Sequence, residues 1–305
     1  MGYSVLSFDI GGTAIRAATS VDGAEPGEVS RTATPAHDRE AFLACLADMA
    51  ARLPQRPDAI SISLAGVVDP QTGRMIVANI PAIHGTDLAA DLKARTGMPV
   101  IITNDADCFA VAEAVFGAGR QHDIVFGIIL GTGVGGGLVS GRRLINAKGG
   151  FAGEWGHGPI APARANGLSL PPFACGCGLS GCLDTVASAR GLERLHAHFS
   201  GQTRDSRQIL DGWRKGEAAA AQTVGAYLDL IAGPLAVCVN LTGATIVPAG
   251  GGLSAAHDLL DAIDRAVRPL TLRNFDRPLV VPAMSGPEPG LAGASAIAWQ
   301  QHQSS

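Results

Sequence analysis

Three glycine-rich turns, each directly after a short apolar stretch, constrain the fold of this 305-residue chain most strongly. They are Asp9-Ile10-Gly11-Gly12-Thr13, residues 131–137, and Gly250-Gly251-Gly252. Because glycine lacks a Cβ, the backbone N–H groups of such a turn can approach a phosphate closely, and a threonine hydroxyl adds another donor. One such turn is ordinary hairpin chemistry. Three at strand ends, two of them carrying threonine, favour a nucleotide-binding fold.

Strand-like and helix-like stretches alternate along the sequence, which predicts an α/β architecture. In the first part the pattern predicts strands over Ser4–Ile10, 14–20, Ala59–Leu64 and 100–103, and helices over 41–52, Leu88–Thr96 and 106–116. In the second part it predicts strands over Ile124–Leu130, 138–139 and 244–249, and helices over Ala218–Thr242, kinked at Gly233-Pro234, and 291–301.

The strand, glycine turn and strand at residues 8–13 recur at residues 129–133, roughly one domain length later. Such internal similarity indicates a duplicated fold, with two similar α/β lobes and a cleft between them. We assign residues 1–115 to an N-terminal lobe and 116–290 to a C-terminal lobe. Residues 291–305 form a C-terminal helix that we expect to pack back on the N-terminal lobe.

Charge and hydropathy exclude several classes of protein. The net charge is −4 and no run of Lys or Arg occurs, so the sequence shows no face for nucleic acid or for an anionic membrane. The N-terminus lacks a basic segment, and Asp9 interrupts its apolar stretch, so it does not resemble a signal peptide. No stretch reaches the roughly 18 uninterrupted apolar residues of a membrane span. We expect a soluble, cytoplasmic protein.

A dinucleotide-binding fold is the alternative that the middle glycine turn raises. Gly131, Gly133 and Gly136 satisfy the pattern G-x-G-x-x-G. In that fold the pattern opens a helix whose N-terminus faces the pyrophosphate. Here Leu138-Val139 read as a strand and Ser140-Gly141 as a turn, so the context does not fit.

The six cysteines fall into two groups. Cys45, Cys108 and Cys238 lie among apolar neighbours, as small core residues do. The other three are packed into the eight-residue segment Cys175-Gly-Cys177-Gly-Leu-Ser-Gly-Cys182. Disulfides are not expected without an export signal, so this segment is a candidate metal site.

Two acidic residues stand where strands end. Asp9 lies beside the first glycine turn, where it can either contact the hydration shell of Mg²⁺ or cap the hairpin turn. Asp105 follows the strand at 100–103, and ligands of α/β sheets bind at the carboxyl ends of strands. Taken alone, Asn104-Asp105 before a helix is most often an N-cap. Asp107 has the position of a charge that the helix dipole favours.

Five motifs in one order carry a resemblance that covers nearly the whole chain. They are Asp9-x-Gly11-Gly12-Thr13, Asn104-Asp105-Ala106, Leu130-Gly131-Thr132-Gly133-x-Gly135-Gly136, Gly153-Glu154-x-Gly156-His157 and Cys175-x-Cys177-Gly178-x-x-Gly181-Cys182. This set resembles the ROK family (repressors, open reading frames, kinases) within the hexokinase–actin superfamily. The resemblance implies a two-lobed actin/hexokinase-like (ribonuclease H-like) fold with an interlobe cleft. It also implies a homodimeric, ATP-dependent sugar kinase with Mg²⁺ and a structural Zn²⁺.

The resemblance also implies roles for individual residues. Asp105 is the general base. The implied sugar contacts are Gly66, Asn79, Asn104, Asp105, Glu154, His157 and Asp184. The implied ATP contacts are Asp9, Gly11, Gly12, Thr13, Gly131, Thr132, Gly133, Gly250, Gly251 and Gly252. The implied zinc ligands are His157, Cys175, Cys177 and Cys182.

The sequence departs from the family pattern in two places. Asp184 stands where the family usually has a sugar-binding Glu, which retracts the carboxylate by one methylene, about 1.5 Å. An apparent insertion at residues 163–172 could reshape the sugar pocket or an oligomer contact. The motifs look nearest to the N-acetylglucosamine kinases of the family, acting on the 6-hydroxyl; glucose, N-acetylmannosamine and fructose stay open as substrates.

A sugar-responsive regulator is the alternative from a different class. The repressors of the family carry a DNA-binding domain ahead of the first glycine turn, which here begins at Asp9. A sensor that had lost catalysis would not need Asp105. Both points favour an enzyme.

Overall fold

The computed structural model describes residues 2–145 and 149–304, and its strands and helices alternate as an α/β fold requires. The strands are β1 Ser4–Ile10, β2 Ala14–Val21, β3 Ser30–Ala33, β4 Ala59–Leu64, β5 Val67–Val68, β6 Met75–Ile76, β7 Val100–Asn104, β8 Ile124–Leu130, β9 Val134–Ser140, β10 Arg143–Leu144, β11 Arg164–Ala165, β12 Leu168–Ser169, β13 Val247–Gly250 and β14 Val280–Pro282. The helices are α1 Arg39–Ala51, α2 Leu88–Thr96, α3 Asp105–Val115, α4 Asp184–Ala187, α5 Ala189–Ser200, α6 Ser206–Arg214, α7 Ala218–Thr242, α8 His257–Val267 and α9 Pro289–His302.

The two main sheets share one topology, which confirms the predicted duplication. Their strand orders are β3-β2-β1-β4-β7 and β10-β9-β8-β13-β14. In the first sheet, β1 pairs antiparallel with β2 and parallel with β4, and β4 pairs parallel with β7. In the second sheet, β13 is parallel to both β8 and β14. An antiparallel hairpin followed by parallel strands with helical crossovers therefore occurs twice in the chain.

The chain divides into two compact units, each with its own main sheet. The first contains the chain up to Arg120, the stretch from Gly137 to Ala152, and the chain from Ser285 onward. The second contains Gln121–Gly136 and Gly153–Met284. Strand β9 thus begins in the second unit and ends in the first.

The first unit is built around the apolar faces of β1, β4 and their helices. Phe8, Phe42 and Leu46 are fully buried, and each such side chain stabilises the fold by about 2 kcal/mol through removal from water. On the other side of the sheet, α9 packs against α3, β1 and β4. Small residues permit this close approach: a Cβ added at Gly293 would lie 1.9 Å from the carbonyl oxygen of Cys108.

The second unit is organised around α7, a single 25-residue helix with Pro234 in its interior. By length and composition alone α7 could cross a membrane, but half of its most apolar window is buried. It packs against α5, α6 and α8. Tyr227, at its centre, is fully buried and donates its hydroxyl to the carbonyl of Ala187 at 2.9 Å. Because α7 packs against three other helices and buries Tyr227, it is a core helix of the second unit.

Several boundaries differ from the sequence prediction by one or two residues, and the starts of two strands differ by more. The middle glycine turn is shorter than predicted, because β9 begins at Val134. Its glycines serve close packing: a Cβ added at Gly136 would lie 2.9 Å from the Trp155 ring. Strand β13 begins at Val247, three residues later than the predicted strand at 244–249.

The stretch at 163–172 forms a small hairpin, β11–β12. Its two-residue turn, Asn166-Gly167, has positive φ at both positions, 46° and 76°. Asn-Gly suits such a turn because both residues tolerate this region of backbone space. The backbone N–H of Asn166 donates to Asp229 Oδ2 on α7 at 2.7 Å, which ties the hairpin to the second unit.

Candidate active site

The candidate residues of the first unit lie at one edge of its sheet. The register pairs Ile10 with Leu64 and Leu64 with Asn104, so β1, β4 and β7 end in the same row. The first glycine turn follows Ile10, and Asp105 follows Asn104. The carboxyl ends of parallel strands thus bring together residues that are nearly 100 positions apart in sequence.

Asp105 is the first residue of α3, and Asn104 is its N-cap. Asn104 Oδ1 and Asp105 Oδ1 both accept the backbone N–H of Ala106, each at 2.9 Å. Asn104 Nδ2 donates to the carbonyl of Gly66 at 3.0 Å. An acidic residue at a helix N-terminus is favoured by the helix dipole. From the sequence, this segment could supply either a helix cap or a carboxylate at the strand end. The structure has both in adjacent residues, with Asn104 as the cap and Asp105 as the carboxylate.

Two further residues suggested as sugar contacts lie close to the first glycine turn and Asn104. A Cβ added at Gly12 would lie 3.2 Å from the carbonyl oxygen of Asn79, so the turn packs directly on Asn79. A Cβ at Gly66 would lie 2.7 Å from the carbonyl oxygen of Ile76, which requires glycine there.

Asp9 has partners on both neighbouring strands. Arg16 Nη1 lies 3.0 Å from Asp9 Oδ2, and Ser63 Oγ donates to Asp9 Oδ1 at 3.0 Å. The register pairs Asp9 with Arg16 on β2 and with Ser63 on β4. Arg16 Nη1 also lies 3.4 Å from Glu288 Oε2, just before α9.

Sequence reasoning missed Arg16. The alternation of side chains along the hairpin strands could have identified it. Because the N–H of Gly11 bonds to the carbonyl of Ala14, Asp9 and Arg16 lie opposite each other and their side chains point to the same face. Arg16 is a cation beside a predicted phosphate-binding turn.

The second and third glycine turns are adjacent in the second unit. Gly250 pairs with Ile129 across β13 and β8. A Cβ added at Gly251 would lie 2.6 Å from the carbonyl oxygen of Leu130, and Gly251 has a φ of 89°. Glycine is therefore required at Gly251 for both steric and conformational reasons.

The cysteine segment and His157 form one cluster. The ligand atoms of His157, Cys175, Cys177 and Cys182 all lie within 4.8 Å of one another. Cys177 Sγ is 3.6 Å from Cys182 Sγ, and Cys175 Sγ is 3.7 Å from His157 Nδ1. A tetrahedral ion with Zn–S bonds of about 2.3 Å separates its sulfurs by roughly 3.8 Å. A disulfide needs about 2.05 Å. The three thiols and one imidazole fit zinc and do not form a disulfide.

The backbone of the segment holds the thiols in place. Cys175 donates its N–H to the carbonyl of Leu179 at 2.8 Å, and its carbonyl accepts the N–H of Gly178 at 3.1 Å. A hydrogen bond from the backbone of Leu179 lowers the pKa of Cys177 to about 7. Thiolates are the form that binds metal. Burial raises the pKa of the Cys175 thiol to about 12, and a bound cation would offset that cost.

Glu154 and Asp184 lie beside this cluster, and each contacts one of its members. His157 Nδ1 faces Cys175, while its Nε2 lies 3.7 Å from Glu154 Oε2. Burial raises the pKa of Glu154, the Asp184 charge raises it further, and His157 opposes both. A metal-ligating histidine commonly directs its second nitrogen to a carboxylate. Asp184 opens α4, and its Oδ1 accepts the backbone N–H of Val134 at 2.7 Å.

The sequence matches the profile of the ROK family over residues 5–301. It is 35% identical to the N-acetylgalactosamine kinase of Shewanella sp. (strain ANA-3) over 293 residues, which cover 95% of each chain. It is 34% identical to the N-acetyl-D-glucosamine kinase of Escherichia fergusonii over 297 residues, covering 94% of this chain and 97% of that one.

The fold is similar to that of the ROK hexokinase from Thermus thermophilus. The TM-score is 0.86 at 30% sequence identity, and the match covers 99% of this chain and 100% of the other. Family profile, sequence relatives and structural neighbour thus agree over nearly the full length.

Proposed function

Because the chain belongs to the ROK family and is an ATP-dependent sugar kinase, we propose that it phosphorylates the 6-hydroxyl of an N-acetylhexosamine. N-acetylglucosamine is the preferred acceptor in this proposal. The observation that carries the choice of sugar class is that relatives with 34% and 35% identity over nearly the whole chain are kinases of acetylated hexosamines.

Asp105 is the proposed general base. The 6-oxygen attacks the γ-phosphorus, the bond from that phosphorus to the β,γ-bridging oxygen breaks, and ADP leaves with those electrons. The proton of the attacking hydroxyl passes to the Asp105 carboxylate. The position of Asp105 at the carboxyl end of β7 and the N-terminus of α3 supports this role, because ligands of α/β sheets bind at that edge.

The glycine turns are the proposed ATP contacts, with Gly11, Gly12 and Thr13 in the first unit and the turns at 131–133 and 250–252 in the second. Mg²⁺ would come with ATP as part of the substrate and neutralise phosphate charge. Both carboxylate oxygens of Asp9 already have protein partners. Asp9 is therefore better placed to contact a water molecule in the hydration shell of Mg²⁺ than to ligate the ion directly.

The proposed sugar contacts are Gly66, Asn79, Asn104, Glu154 and His157. Carboxylate, amide and imidazole groups supply the directional acceptors and donors that adjacent sugar hydroxyls require. Both carboxylate oxygens of Asp184 already have protein neighbours, since Oδ1 accepts the N–H of Val134 and Oδ2 lies 3.9 Å from Cys175 Sγ.

Zinc is the proposed occupant of the His157–Cys175–Cys177–Cys182 cluster, as a structural ion. When bound, it would join the segment that carries Glu154 to the segment that carries Asp184. A four-ligand set of three thiolates and one imidazole leaves no open position for a substrate, so we assign it no catalytic step.

A coupled assay of ADP release over a sugar panel tests the function. The panel contains N-acetylglucosamine, N-acetylgalactosamine, N-acetylmannosamine, glucose and fructose. We expect the highest kcat/KM with N-acetylglucosamine, and for Asp105→Asn a kcat about 10²- to 10⁴-fold lower. N-acetylgalactosamine is the second candidate, because one of the two relatives is named for it. A clear preference for glucose or fructose would refute the proposed sugar class.

We further propose that the enzyme is a cytoplasmic homodimer. Four apolar side chains of the second unit are exposed near Asn240. Asn240 Nδ2 donates to the carbonyl of Leu270, and its Oδ1 accepts the N–H of Leu272. The four exposed side chains are Val237, Leu241, Leu270 and Leu272. A patch of this kind is typical of protein interfaces. Light scattering of the wild type and of Leu272→Asp tests it; a monomeric wild type would refute it.

A further inference from the structure

We infer that Asp184 is a positioning residue for the nucleotide turn Gly131-Thr132-Gly133, and that this role outweighs any contact with the sugar. The inference rests on the proposed function in one respect, the assignment of that turn to ATP. It differs from the role that the family resemblance implies for Asp184, which is a contact with the sugar.

The first observation is the shape of the turn around the carboxylate. Asp184 Oδ1 accepts the N–H of Val134 at 2.7 Å, directly after the last glycine of the turn. A Cβ added at Gly133 would lie 2.8 Å from the same oxygen. Glycine at residue 133 therefore lets the backbone come close enough for the carboxylate to bind it.

The second observation concerns the other end of the turn. Ala189, the first residue of α5, donates its N–H to the carbonyl of Gly131 at 2.8 Å. Ser188 connects the two anchoring residues, since its Oγ donates to the carbonyl of Asp184 at 2.8 Å and accepts the N–H of Gly191 at 3.0 Å. The segment 184–189 thus holds both ends of the turn, and Thr132 between them is exposed.

The third observation is that the holding segment is itself fixed. The N–H of Asp184 donates to the carbonyl of Gly156 at 2.8 Å. A Cβ added at Gly156 would lie 2.5 Å from the carbonyl oxygen of Val134, so Gly156 also packs directly on the start of β9. Cys182, two residues before Asp184, belongs to the metal cluster. Asp184 and its hydrogen bonds therefore link the metal cluster, the segment that carries Glu154 and the nucleotide turn within the second unit.

Side-chain length explains why aspartate suits this position. The carboxylate of a glutamate would extend about 1.5 Å further along the same direction. Since Oδ1 is already at hydrogen-bond distance from Val134 and in close contact with Gly133, a longer side chain must turn away or displace the turn. Aspartate is thus the acidic residue that fits the gap between α4 and the turn.

The test compares Asp184→Ala, Asp184→Asn and Asp184→Glu. Asp229→Ala is the matched control, because Asp229 also accepts a backbone N–H at 2.7 Å, from Asn166 in the β11–β12 hairpin. The readouts are KM for MgATP and for the sugar, the Kd of a non-hydrolysable ATP analogue by calorimetry, the zinc content and the urea midpoint.

We expect Asp184→Ala to raise the KM for MgATP and the Kd of the analogue about tenfold, as loss of a charged acceptor for a buried N–H would. The sugar KM should change less than about threefold. Asp184→Asn, which keeps an oxygen at that position, should restore most of the affinity, and Asp184→Glu should resemble Ala. Asp229→Ala should leave both constants as in the wild type.

A rise in sugar KM with unchanged analogue binding in Asp184→Ala or Asp184→Asn would overturn the inference in favour of a sugar contact. Equal loss of zinc, stability and both affinities would overturn it in favour of a purely structural role. If the wild type binds the ATP analogue but phosphorylates no sugar on the panel, the proposed sugar class fails, and the calorimetric comparison still decides the role of Asp184.

Discussion

Asp9 and Arg16 face each other across the β1–β2 hairpin, with 3.0 Å between Asp9 Oδ2 and Arg16 Nη1. Glu288 Oε2 lies 3.4 Å from the same nitrogen, so one guanidinium is shared by two carboxylates beside the first glycine turn. Both side chains of the Asp9–Arg16 pair are partly exposed to solvent, so the pair contributes little to the free energy of unfolding. Its position suggests a role in binding MgATP.

Replacing Arg16 should weaken nucleotide binding. In Arg16→Gln the Asp9 carboxylate loses its cationic partner and keeps the hydroxyl of Ser63, and a positive charge next to the phosphate turn is removed. We expect the KM for MgATP to rise about five- to tenfold, in line with one charge-assisted hydrogen bond, with little change in sugar KM. Initial rates at varied MgATP provide the measurement.

Arg31 provides the control for this prediction. It pairs with Arg16 across β2 and β3 but is exposed on the edge strand and has no ion pair among the described residues. Arg31→Gln should leave the KM for MgATP unchanged. Equal effects of the two substitutions would mean that general surface charge, and not the Asp9 pair, sets the affinity.

Replacing Asp105 should slow turnover strongly while leaving substrate binding nearly intact. Asp105→Asn retains the shape of the side chain and an oxygen that can accept the N–H of Ala106. It cannot take a proton from the sugar hydroxyl, so kcat should fall about 10²- to 10⁴-fold. Steady-state kinetics with N-acetylglucosamine give kcat and KM separately.

Asp38→Asn separates catalysis from helix capping. Asp38 caps α1 and accepts the N–H of Ala41 at 3.0 Å, so it performs for α1 the structural task that Asn104 and Asp105 perform for α3. Asn caps about as well as Asp, so this variant should keep its kcat. If Asp105→Asn retained the wild-type kcat, the proposed base would be wrong.

The sequence predicted those parts of the fold that depend on local pattern. Strand β1, helix α2, strand β8 and helix α7 have the predicted bounds, because apolar runs and caps such as Asp87 and Gly97 of α2 mark them directly. The sequence predicts a turn at the glycine-rich start of β9, where the structure has a strand. A strand can begin among glycines there because Trp155, distant in sequence, packs on them and donates to the carbonyl of Gly135 at 2.8 Å.

The candidate site was predictable in its residue types and less so in its contacts. The spacing of the cysteines predicted three residues of the metal cluster, and the family resemblance implied His157 as the fourth. The structure brings all four within bonding range of one ion. The link from Asp184 to Val134 joins residues 50 positions apart, and no local pattern in either segment signals it. Arg16 was recoverable only by following side-chain alternation through the hairpin.

The metal cluster should bind one zinc ion per chain and contribute to stability. Cys177→Ser removes an exposed ligand without creating a cavity in the core. We expect loss of zinc, a lower urea midpoint, and the same midpoint in the wild type after chelation, because the energy of a structural site is folding energy. Elemental analysis together with urea denaturation measures both.

Cys45→Ser is the matched control, since Cys45 is a partly buried thiol outside the cluster. It should keep its zinc and respond to the chelator as the wild type does. Wild-type protein without stoichiometric zinc, or with a urea midpoint that chelation does not shift, would contradict the structural assignment.

His196 on α5 is fully buried. Its Nδ1 lies 2.9 Å from Thr223 Oγ1 on α7, and within the described residues its Nε2 has no hydrogen-bond partner. Burial lowers the pKa of His196, Arg204 lowers it further, and Glu217 opposes both. A proton on this ring would add a buried charge.

The sign of the pH effect follows from the lowered pKa. The unfolded chain takes up a proton near the ordinary histidine pKa of about 6.5, while the folded chain resists it. The stability that His196 contributes is therefore complete above about pH 6.5 and declines as the pH falls below it. Urea midpoints measured from about pH 7.5 down to about pH 5 should decrease.

A pair of variants attributes the pH effect to this residue. His196→Gln, which can still bond Thr223 but does not titrate, should show a flatter dependence over the same range. His37→Gln changes an exposed histidine and should follow the wild-type curve. Parallel curves for wild type and His196→Gln would show that other groups destabilise the fold at low pH, and that the buried imidazole between α5 and α7 tolerates its proton.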